Sequence, residues 1–302
     1  MKKTSIGGMA LLEGIMMIGP NKKAVAIRKP DHEIEIQVEE LKYNSKLRKV
    51  PFLRGVVALF SQMVHGVKAL MKAADYFDVE SDEPPTKFEK WLEKTFGDKL
   101  MNVVIYFSVI IALLFSVGLF ILLPNLIISL IFKDQVIMNN LFEGILRIII
   151  FVSYLALVSK MKDIRRVWMY HGAEHKTIST YEHDEELTVE NTKKYTTFHK
   201  RCGTSFMFLV LIISIIVFSF TGWHSAIINV LIRLALIPVV AGISYEFIKL
   251  AGRTDGLFSK VVSAPGMWLQ RLTTKEPDDD MVEVAIAAFK AVMPEVEGED
   301  KW

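Results

Sequence analysis

Four long apolar runs dominate the hydropathy pattern of this chain. The clearest run, residues 101–123, carries no charge and exceeds the roughly 20 residues that a helix needs to cross a hydrocarbon core of about 30 Å. We expect Pro124 to end this helix, because proline lacks the amide proton that a helix interior requires. The pattern predicts a mainly α-helical, polytopic membrane protein with four transmembrane helices, at residues 101–123, 137–158, 203–221 and 226 to about 248.

A small N-terminal β element precedes the apolar runs. Residues 24–28 and 33–39 read as two strands joined by a turn. Strict alternation in the second strand predicts that three apolar side chains face inward. They are those of Ile34, Ile36 and Val38. Segment 7–20 is rich in glycine around the single acid Glu13, which predicts a backbone that turns tightly or is approached closely.

Three amphipathic helices are predicted outside the membrane. The first begins at Pro51, and its apolar face with a basic rim suits either the membrane surface or packing on a soluble domain. A capping box formed by Thr86 and Glu89 opens the second. The third covers residues 279–292, after a predicted break in helical structure at residues 264–266.

The charge distribution predicts the orientation and the segments of the chain. Lysine and arginine concentrate on one side of the spans, so the positive-inside rule places both termini and the 160–203 loop in the cytoplasm of a multi-pass cell-membrane protein. Five segments follow. They are an N-terminal cytoplasmic segment with a β-hairpin and an amphipathic helix (1–80), a linker helix with the first transmembrane hairpin (81–160), a cytoplasmic loop (161–202), the second hairpin (203–250), and a cytoplasmic C-terminal helix with an acidic tail (251–302).

The composition limits the classes of molecule that this chain is expected to bind. Apolar residues make up 51% of the chain and charged residues 23%, and the net charge of +2 argues against nucleic acid as a partner. The mean hydropathy of +0.32 indicates that the apolar segments lie in the lipid bilayer. The amphipathic helices leave room for other membrane proteins as partners. Within the second span, Glu143 and Arg147 are spaced i,i+4 and are predicted to neutralise one another.

Candidate chemistry lies in two clusters between the second and third spans. His171, Glu174 and His175 form an H-x-x-E-H pattern, in which two histidines on one helical face bind zinc and the glutamate is the general base. His199 and Cys202, spaced as H-x-x-C, add two ligand types that suit zinc. The alternative interpretation is that these are capping or interfacial histidines and a small buried cysteine.

The predicted cofactor is a divalent transition metal, which this ligand set indicates to be zinc. If all four histidine and cysteine side chains bind one ion, the centre is closed and structural, whereas three protein ligands and a water make it catalytic. For one ion to contact both clusters, the helix that carries His171 must bend back along the membrane surface. Glu13 and Glu246 are further acidic candidates.

Four sequence blocks resemble the signature blocks of the YqhQ-type bacterial membrane proteins. They are G-G-M-A-L-L-E-G-I-M-M-I-G-P from Gly7, H-G-A-E-H-K-T-I from His171, F-H-K-R-C-G-T-S-F from Phe198 and E-P-D-D-D-M-V-E-V-A-I-A-A from Glu276. The resemblance implies membership of a family of unknown function that is labelled as predicted metal-dependent enzymes. The family pattern leads us to expect a polar residue such as glutamine at position 9. This chain has Met9 there, which departs from the pattern.

Two functions are predicted. The first is a metal-dependent hydrolase at the cytoplasmic face of the membrane, with Glu174 as the general base. The alternative is a non-enzymatic membrane factor that binds translocation or quality-control machinery and uses the histidine and cysteine cluster as a structural clasp. Transport is a third interpretation, because Arg233 and Glu246 lie within the fourth span.

Overall fold

A computed structural model describes residues 2–41, 47, 50–74, 76, 97, 100–131, 136–254, 256–296 and 298–302. The strands are β1 Gly7–Leu11, β2 Gly14–Ile18, β3 Lys22–Arg28 and β4 Ile34–Glu40. The helices are α1 Leu53–Ala74, α2 Leu100–Val117, a π-helical turn Gly118–Leu122, α3 Leu123–Ile131, α4 Val136–Val158, α5 Lys162–Glu182, α6 Val189–Lys193, α7 Gly203–Ser219, α8 Ala226–Arg253, α9 Leu257–Thr273 and α10 Asp279–Val292. The predicted helix after the capping box of Thr86 and Glu89 lies outside the described residues.

The four strands form one antiparallel sheet in the order β1–β2–β3–β4, with helices on both of its faces. On one face, Ile15 and Met17 pack with α5 and α10. On the other, Met16 and Val25 pack with Ala69 of α1. Because both faces are covered, β2 reads G-I-M-M-I without apolar–polar alternation, and β1 and β2 come in addition to the two predicted strands. We call the sheet together with α5, α6 and α10 the head.

The predicted inward face of β4 is wrong at two of three positions. Ile34 packs partly against the core of the head, but Ile36 and Val38 are 43% and 49% exposed. The reason is that β4 is the outermost strand, whereas α10 lies mainly over β2 and β3. On the opposite face of the sheet, Lys72 of α1 forms an ion pair with Glu39.

Within the described part of the chain, three helical segments are long and apolar enough to cross a membrane, and they indicate a membrane protein. They are Tyr106–Ile131, Met138–Val158 and Ala226–Arg253. The predicted third span forms α7, which is apolar but has only 17 residues. At 1.5 Å per residue it is about 26 Å long, somewhat less than a hydrocarbon core of about 30 Å.

Pro124 does not end the first span, which corrects the prediction, because helical structure continues to Ile131. A π-helical turn, Gly118–Leu122, ends two residues before the proline. Pro124 cannot donate to the carbonyl of Phe120, and that carbonyl instead accepts a 2.8 Å hydrogen bond from Arg147 Nε. The wider turn and the guanidinium together keep the backbone satisfied.

The predicted pair of Glu143 and Arg147 is confirmed, and it belongs to a larger buried cluster. Glu143 accepts hydrogen bonds from Arg147 and from Arg233 of α8. The Nη1 atom of Arg147 also donates to Ser214 Oγ of α7 at 3.2 Å. One carboxylate therefore joins α4 to α8, and one guanidinium joins α4 to α7.

At the C-terminal end, one helix prediction is confirmed and one break is wrong. Helix α10 forms as predicted, with Val282, Ile286, Phe289 and Val292 buried. The break at residues 264–266 does not occur, because α9 continues through Pro265. Gly266 packs so closely on α7 that a Cβ there would overlap Ser205. This contact between α9 and α7 offsets the hydrogen bond that the proline removes.

Candidate metal centre

Helix α5 carries the first cluster and does not continue α4. The two helices are separated by a short turn in which Met161 has an extended backbone, with φ −70° and ψ 136°. A hydrogen bond crosses this turn: Trp168 Nε1 of α5 donates to Ser159 Oγ, just after the end of α4, at 3.1 Å. The change of direction brings the histidines of α5 to the start of α7, where Cys202 lies.

Three of the four predicted ligands come together. Ligand atoms of His171, His175 and Cys202 all lie within 4.8 Å of one another. His171 Nε2 is 3.2 Å from Cys202 Sγ, and the two imidazole centroids are 4.4 Å apart. A tetrahedral zinc ion with bonds of about 2.0–2.3 Å fits a group of this size, and the donor types are those that zinc prefers.

Backbone carbonyls fix both histidine rings. His171 Nδ1 donates to the carbonyl of Thr273 at 2.7 Å, and His175 Nδ1 donates to the carbonyl of Thr197 at 2.6 Å. Because a carbonyl can only accept, each ring carries a proton on Nδ1 and leaves Nε2 as the nitrogen available to an ion. Metal-binding histidines are oriented in the same way by a hydrogen bond to their second nitrogen.

Cys202 lies at the N-terminal end of α7, where its sulfur accepts a 3.3 Å hydrogen bond from the amide of Thr204. Burial opposes ionisation, but the imidazoles of His171 and His175 outweigh it and hold the pKa of the thiol well below its ordinary value. Burial likewise disfavours charge on His171, yet the neighbouring sulfur raises its pKa to about 9. The thiolate is the form that binds a metal ion.

Glu174 stands beside this group and is only 6% exposed. Its Oε1 atom accepts a 2.8 Å hydrogen bond from the amide of Gly8 in β1. Burial is the main reason that the pKa of Glu174 is raised. A Cβ on Gly8 would lie 2.5 Å from the carbonyl oxygen of Met16, so the glycine-rich segment is approached closely, as predicted.

His199 lies next to the group without joining it. Its ring centroid is 5.7 Å from that of His175, but its Nε2 atom is directed at Glu182 Oε2, 3.3 Å away. Glu182 is fully buried and is also bound by Arg201. Burial lowers the pKa of His199. The structure therefore assembles two histidines and one cysteine, with His199 in a neighbouring ionic network.

The two further acidic candidates form ion pairs and are not members of the group of three. Glu13 accepts hydrogen bonds from the guanidinium of Arg166. Glu246 accepts from Arg54 Nε at 2.7 Å and from the amide of Phe52 at 3.0 Å. Both carboxylates thus connect elements of the fold, the first β1–β2 with α5 and the second α8 with α1.

Two cavities adjoin the group. One has a volume of about 330 Å³ and many polar lining residues, including Thr4, Gln62 and His65. The other, of about 500 Å³, is mainly apolar. Glu174 and Cys202 line both cavities, so the candidate site lies where they meet.

Both ends of the chain contribute to this region, which the sequence did not indicate. The amide of Thr4 donates to Glu182 Oε1 at 2.7 Å, and Thr4 Oγ1 donates to Asp300 Oδ2 at 2.6 Å. Trp302 lines both cavities. No local pattern marks Thr4, because Glu182 and Asp300 lie 178 and 296 positions away in the sequence.

Fold and site together define a class, namely helical membrane-type proteins whose sheet-containing head holds a buried group of two histidines and one cysteine. Residues 50–295 match the family described as "Protein of unknown function (DUF1385)", and the chain belongs to this family. It is similar to "Uncharacterized protein YqhQ" of Bacillus subtilis (strain 168), with 35% identity over 297 residues that cover 95% of this chain and 92% of the relative. The family resemblance is thereby confirmed. No solved structure matches the chain.

Proposed function

We propose that this protein is a metal-dependent hydrolase of the membrane, with zinc or another divalent transition metal held by His171, His175 and Cys202. The observation that carries the proposal is the convergence of these three ligand atoms within 4.8 Å beside a buried carboxylate. Three protein ligands leave one position of a tetrahedral ion for water, which is the arrangement of catalytic zinc sites.

The chain supplies the remaining groups. A bound divalent ion contributes Lewis acidity and activates water at neutral pH. Glu174 is the general base, because burial raises its pKa and so makes it a better proton acceptor than an exposed carboxylate. The amide of Gly8 holds Oε1 of Glu174, so the proton is taken up by Oε2. The carbonyls of Thr273 and Thr197 keep the two imidazoles in position.

We place the head and both termini in the cytoplasm of a protein with four membrane spans. The head comprises the sheet (residues 7–40), α5 and α6 (162–193) and α10 (279–292), so the helices between these segments must leave the head and return to it. This requirement pairs α7 with α8 as outgoing and returning helices, although α7 is the shorter of the two. The lysine and arginine distribution supports the cytoplasmic side.

Metal analysis of the purified protein tests the first half of the proposal. We expect about one equivalent of a divalent transition metal in the wild-type protein and a large loss in the His171→Ala, His175→Ala double variant. The Gly7→Ala variant is the matched control, because a Cβ at this position meets nothing within 4 Å. Equal background metal in wild type and double variant would remove the proposal.

The Glu174→Gln variant tests the second half. Its amide oxygen still accepts from Gly8, so the fold and the metal content should be retained. Loss of the general base should lower hydrolysis by about 10²–10⁴-fold. Carboxylic esters, phosphate esters and peptides serve as the substrate panel. Activity of the variant equal to that of the wild type contradicts the role of Glu174.

A second candidate function is a non-enzymatic membrane factor that binds translocation or quality-control machinery. The exposed apolar side chains of α1 favour it, for instance Phe60 at 54% and Val64 at 54% exposure. The histidine and cysteine group then acts as a clasp between α5 and α7. In this case Glu174→Gln leaves cellular function intact, whereas the His171→Ala, His175→Ala variant loses it together with a stable co-purifying partner.

A further inference from the structure

The apolar cavity has the lining and size of a ligand site. Its apolar walls come from β1, α1, α5, α7 and α8, and include Met9, Leu59, Val167, Phe206, Met207 and Ile248. Its volume of about 500 Å³ lies within the range of roughly 300–1,000 Å³ that is typical of small-molecule sites. The walls also include His171, Glu174 and Cys202. An apolar group in this cavity therefore extends up to the candidate metal centre.

This cavity is also lined by side chains of helices that expose apolar residues. Met207 lies in the second turn of α7 and is 47% exposed, so the lining reaches the outer surface of the helix bundle there. Leu59 lies on α1, which exposes the neighbouring apolar side chains Phe60 and Met63. A bilayer that surrounds these exposed side chains would therefore meet the lining of the cavity through apolar surface.

The second cavity has a mixed lining that is more polar than that of the apolar cavity. Its walls include Thr4, Ser5, Gln62 and His65, and it meets the apolar cavity at Glu174, Cys202 and Arg201. A molecule that fills both cavities must be apolar at one end and polar at the other. The bond that joins its two ends then lies beside the carboxylate and the ligand group.

We propose that the substrate is a membrane lipid, with one acyl chain in the apolar cavity and its polar head in the second, more polar cavity. This inference rests on the proposed hydrolase function and names its substrate class. An α-helix is about 10–12 Å across, so a cavity of about 500 Å³ holds little more than one turn of a helical peptide. A single acyl chain is much thinner, and the cavity therefore suits a lipid better than a membrane-spanning polypeptide.

The reaction is hydrolysis of an acyl ester. The oxygen of water bonds to the acyl carbon, and the bond between that carbon and the alkoxy oxygen breaks. Glu174 takes a proton from the attacking water and returns it to the departing alkoxy oxygen. The products are a fatty acid and a lipid with one acyl chain fewer, and water is the only co-reactant.

The test uses the full-length protein in lipid nanodiscs of phosphatidylethanolamine and phosphatidylglycerol, doped with a phosphatidylcholine whose acyl chain carries a diazirine. We expect irradiation to label the peptides that contain Leu59 and Val167, in addition to the lipid-exposed surfaces of the spans. Leu59→Trp fills the cavity and should reduce labelling at Val167 several-fold. Met63→Trp is the control, because Met63 is 44% exposed and lies outside both cavity linings, so labelling at Val167 should not change.

Val167→Trp, read out at Leu59, replaces Leu59→Trp if the latter does not fold. Metal content and released fatty acid are measured in the same samples.

Cavity labelling with fatty acid released by wild type and not by Glu174→Gln supports the proposal. Metal binding without cavity labelling overturns the lipid substrate and leaves the hydrolase standing. Cavity labelling without any bound metal supports lipid binding and overturns the hydrolase. Labelling of the cavity by a diazirine-bearing apolar helical peptide, and not by the lipid, overturns the lipid in favour of a polypeptide.

Discussion

The amide of Gly8 donates a 2.8 Å hydrogen bond to the carboxylate of Glu174, across 166 positions of sequence. The first strand of the sheet therefore takes part in the candidate metal centre through its backbone. A side chain at Gly8 has no space, because its Cβ would lie 2.5 Å from the carbonyl oxygen of Met16 and 3.2 Å from Cδ of Glu174. Position 8 thus couples the β1–β2 hairpin to the orientation of the proposed general base.

Gly8→Ala should lower both stability and activity while sparing the metal. Overpacking at this position should reduce the free energy of unfolding by about 1–3 kcal/mol. Displacement of Glu174 should reduce ester hydrolysis by at least about tenfold, since misplaced catalytic groups lose much of their effect. Thermal unfolding and steady-state kinetics measure the two effects. Gly7→Ala is the control, and equal behaviour of the two variants would show that Gly8 does not position Glu174.

His199→Ala should retain the metal. In the structure the Nε2 atom of His199 is directed at Glu182, and the group of three ligands forms without it. Glu182 keeps the hydrogen bonds from Arg201 and Thr4, so we expect a moderate loss of stability, about 1–3 kcal/mol for one lost partner of a buried carboxylate. Metal stoichiometry and thermal unfolding are the measurements.

The comparison for His199→Ala is His175→Ala, which removes a proposed ligand. If both variants lose metal to the same extent, His199 is a fourth ligand and the centre is closed. A closed coordination shell of three histidines and one cysteine would favour the structural clasp over the hydrolase.

Cys202 should react as a thiolate once the metal is removed. It is the only cysteine of the chain, so alkylation reports on it alone. Its pKa lies well below the ordinary value, and the thiolate fraction should therefore rise less between pH 7 and pH 9 than that of an unperturbed thiol. An unperturbed thiol, with a pKa of about 8.5, gains more than about tenfold in thiolate over this interval. The rate of iodoacetamide labelling in chelator-treated protein measures the difference.

Two controls accompany the alkylation experiment. Readdition of zinc should slow labelling strongly, because a bound thiolate is protected. His171→Ala removes a neighbouring imidazole and should restore a rise of the rate with pH. A wild-type rate that rises with pH like that of an unperturbed thiol contradicts the proposed electrostatics.

Local patterns in the sequence predict those parts of the fold whose cause is local. The face of α10 follows from helical periodicity, and the pair of Glu143 and Arg147 follows from i,i+4 spacing. Pro124 shows what local patterns cannot predict. Whether proline ends a helix depends on a partner for the carbonyl of Phe120, and Arg147 lies on another helix. Tertiary contacts of this kind have no signature in the residues next to the proline.

The candidate site shows the same division. The spacing of His171 and His175 on one helical face is visible in the sequence, and their approach to Cys202 requires the turn between α4 and α5. Exclusion of His199 depends on Glu182, whose burial comes from the packing of both chain ends. The role of Gly8 is carried by a backbone amide, which every residue except proline possesses.

Glu143 should matter more for stability than Arg147. Glu143→Leu leaves two guanidinium groups among apolar helices without a counter-ion, and we expect a loss of about 3–5 kcal/mol. Arg147→Leu leaves Glu143 paired with Arg233 and mainly orphans the carbonyl of Phe120, which costs about 1–3 kcal/mol. Thermal unfolding in detergent micelles ranks the variants, with Leu157→Ala, at a side chain that is 65% exposed, as the control. If Arg147→Leu is as damaging as Glu143→Leu, the cluster depends on both ion pairs and Arg233 alone cannot neutralise the carboxylate.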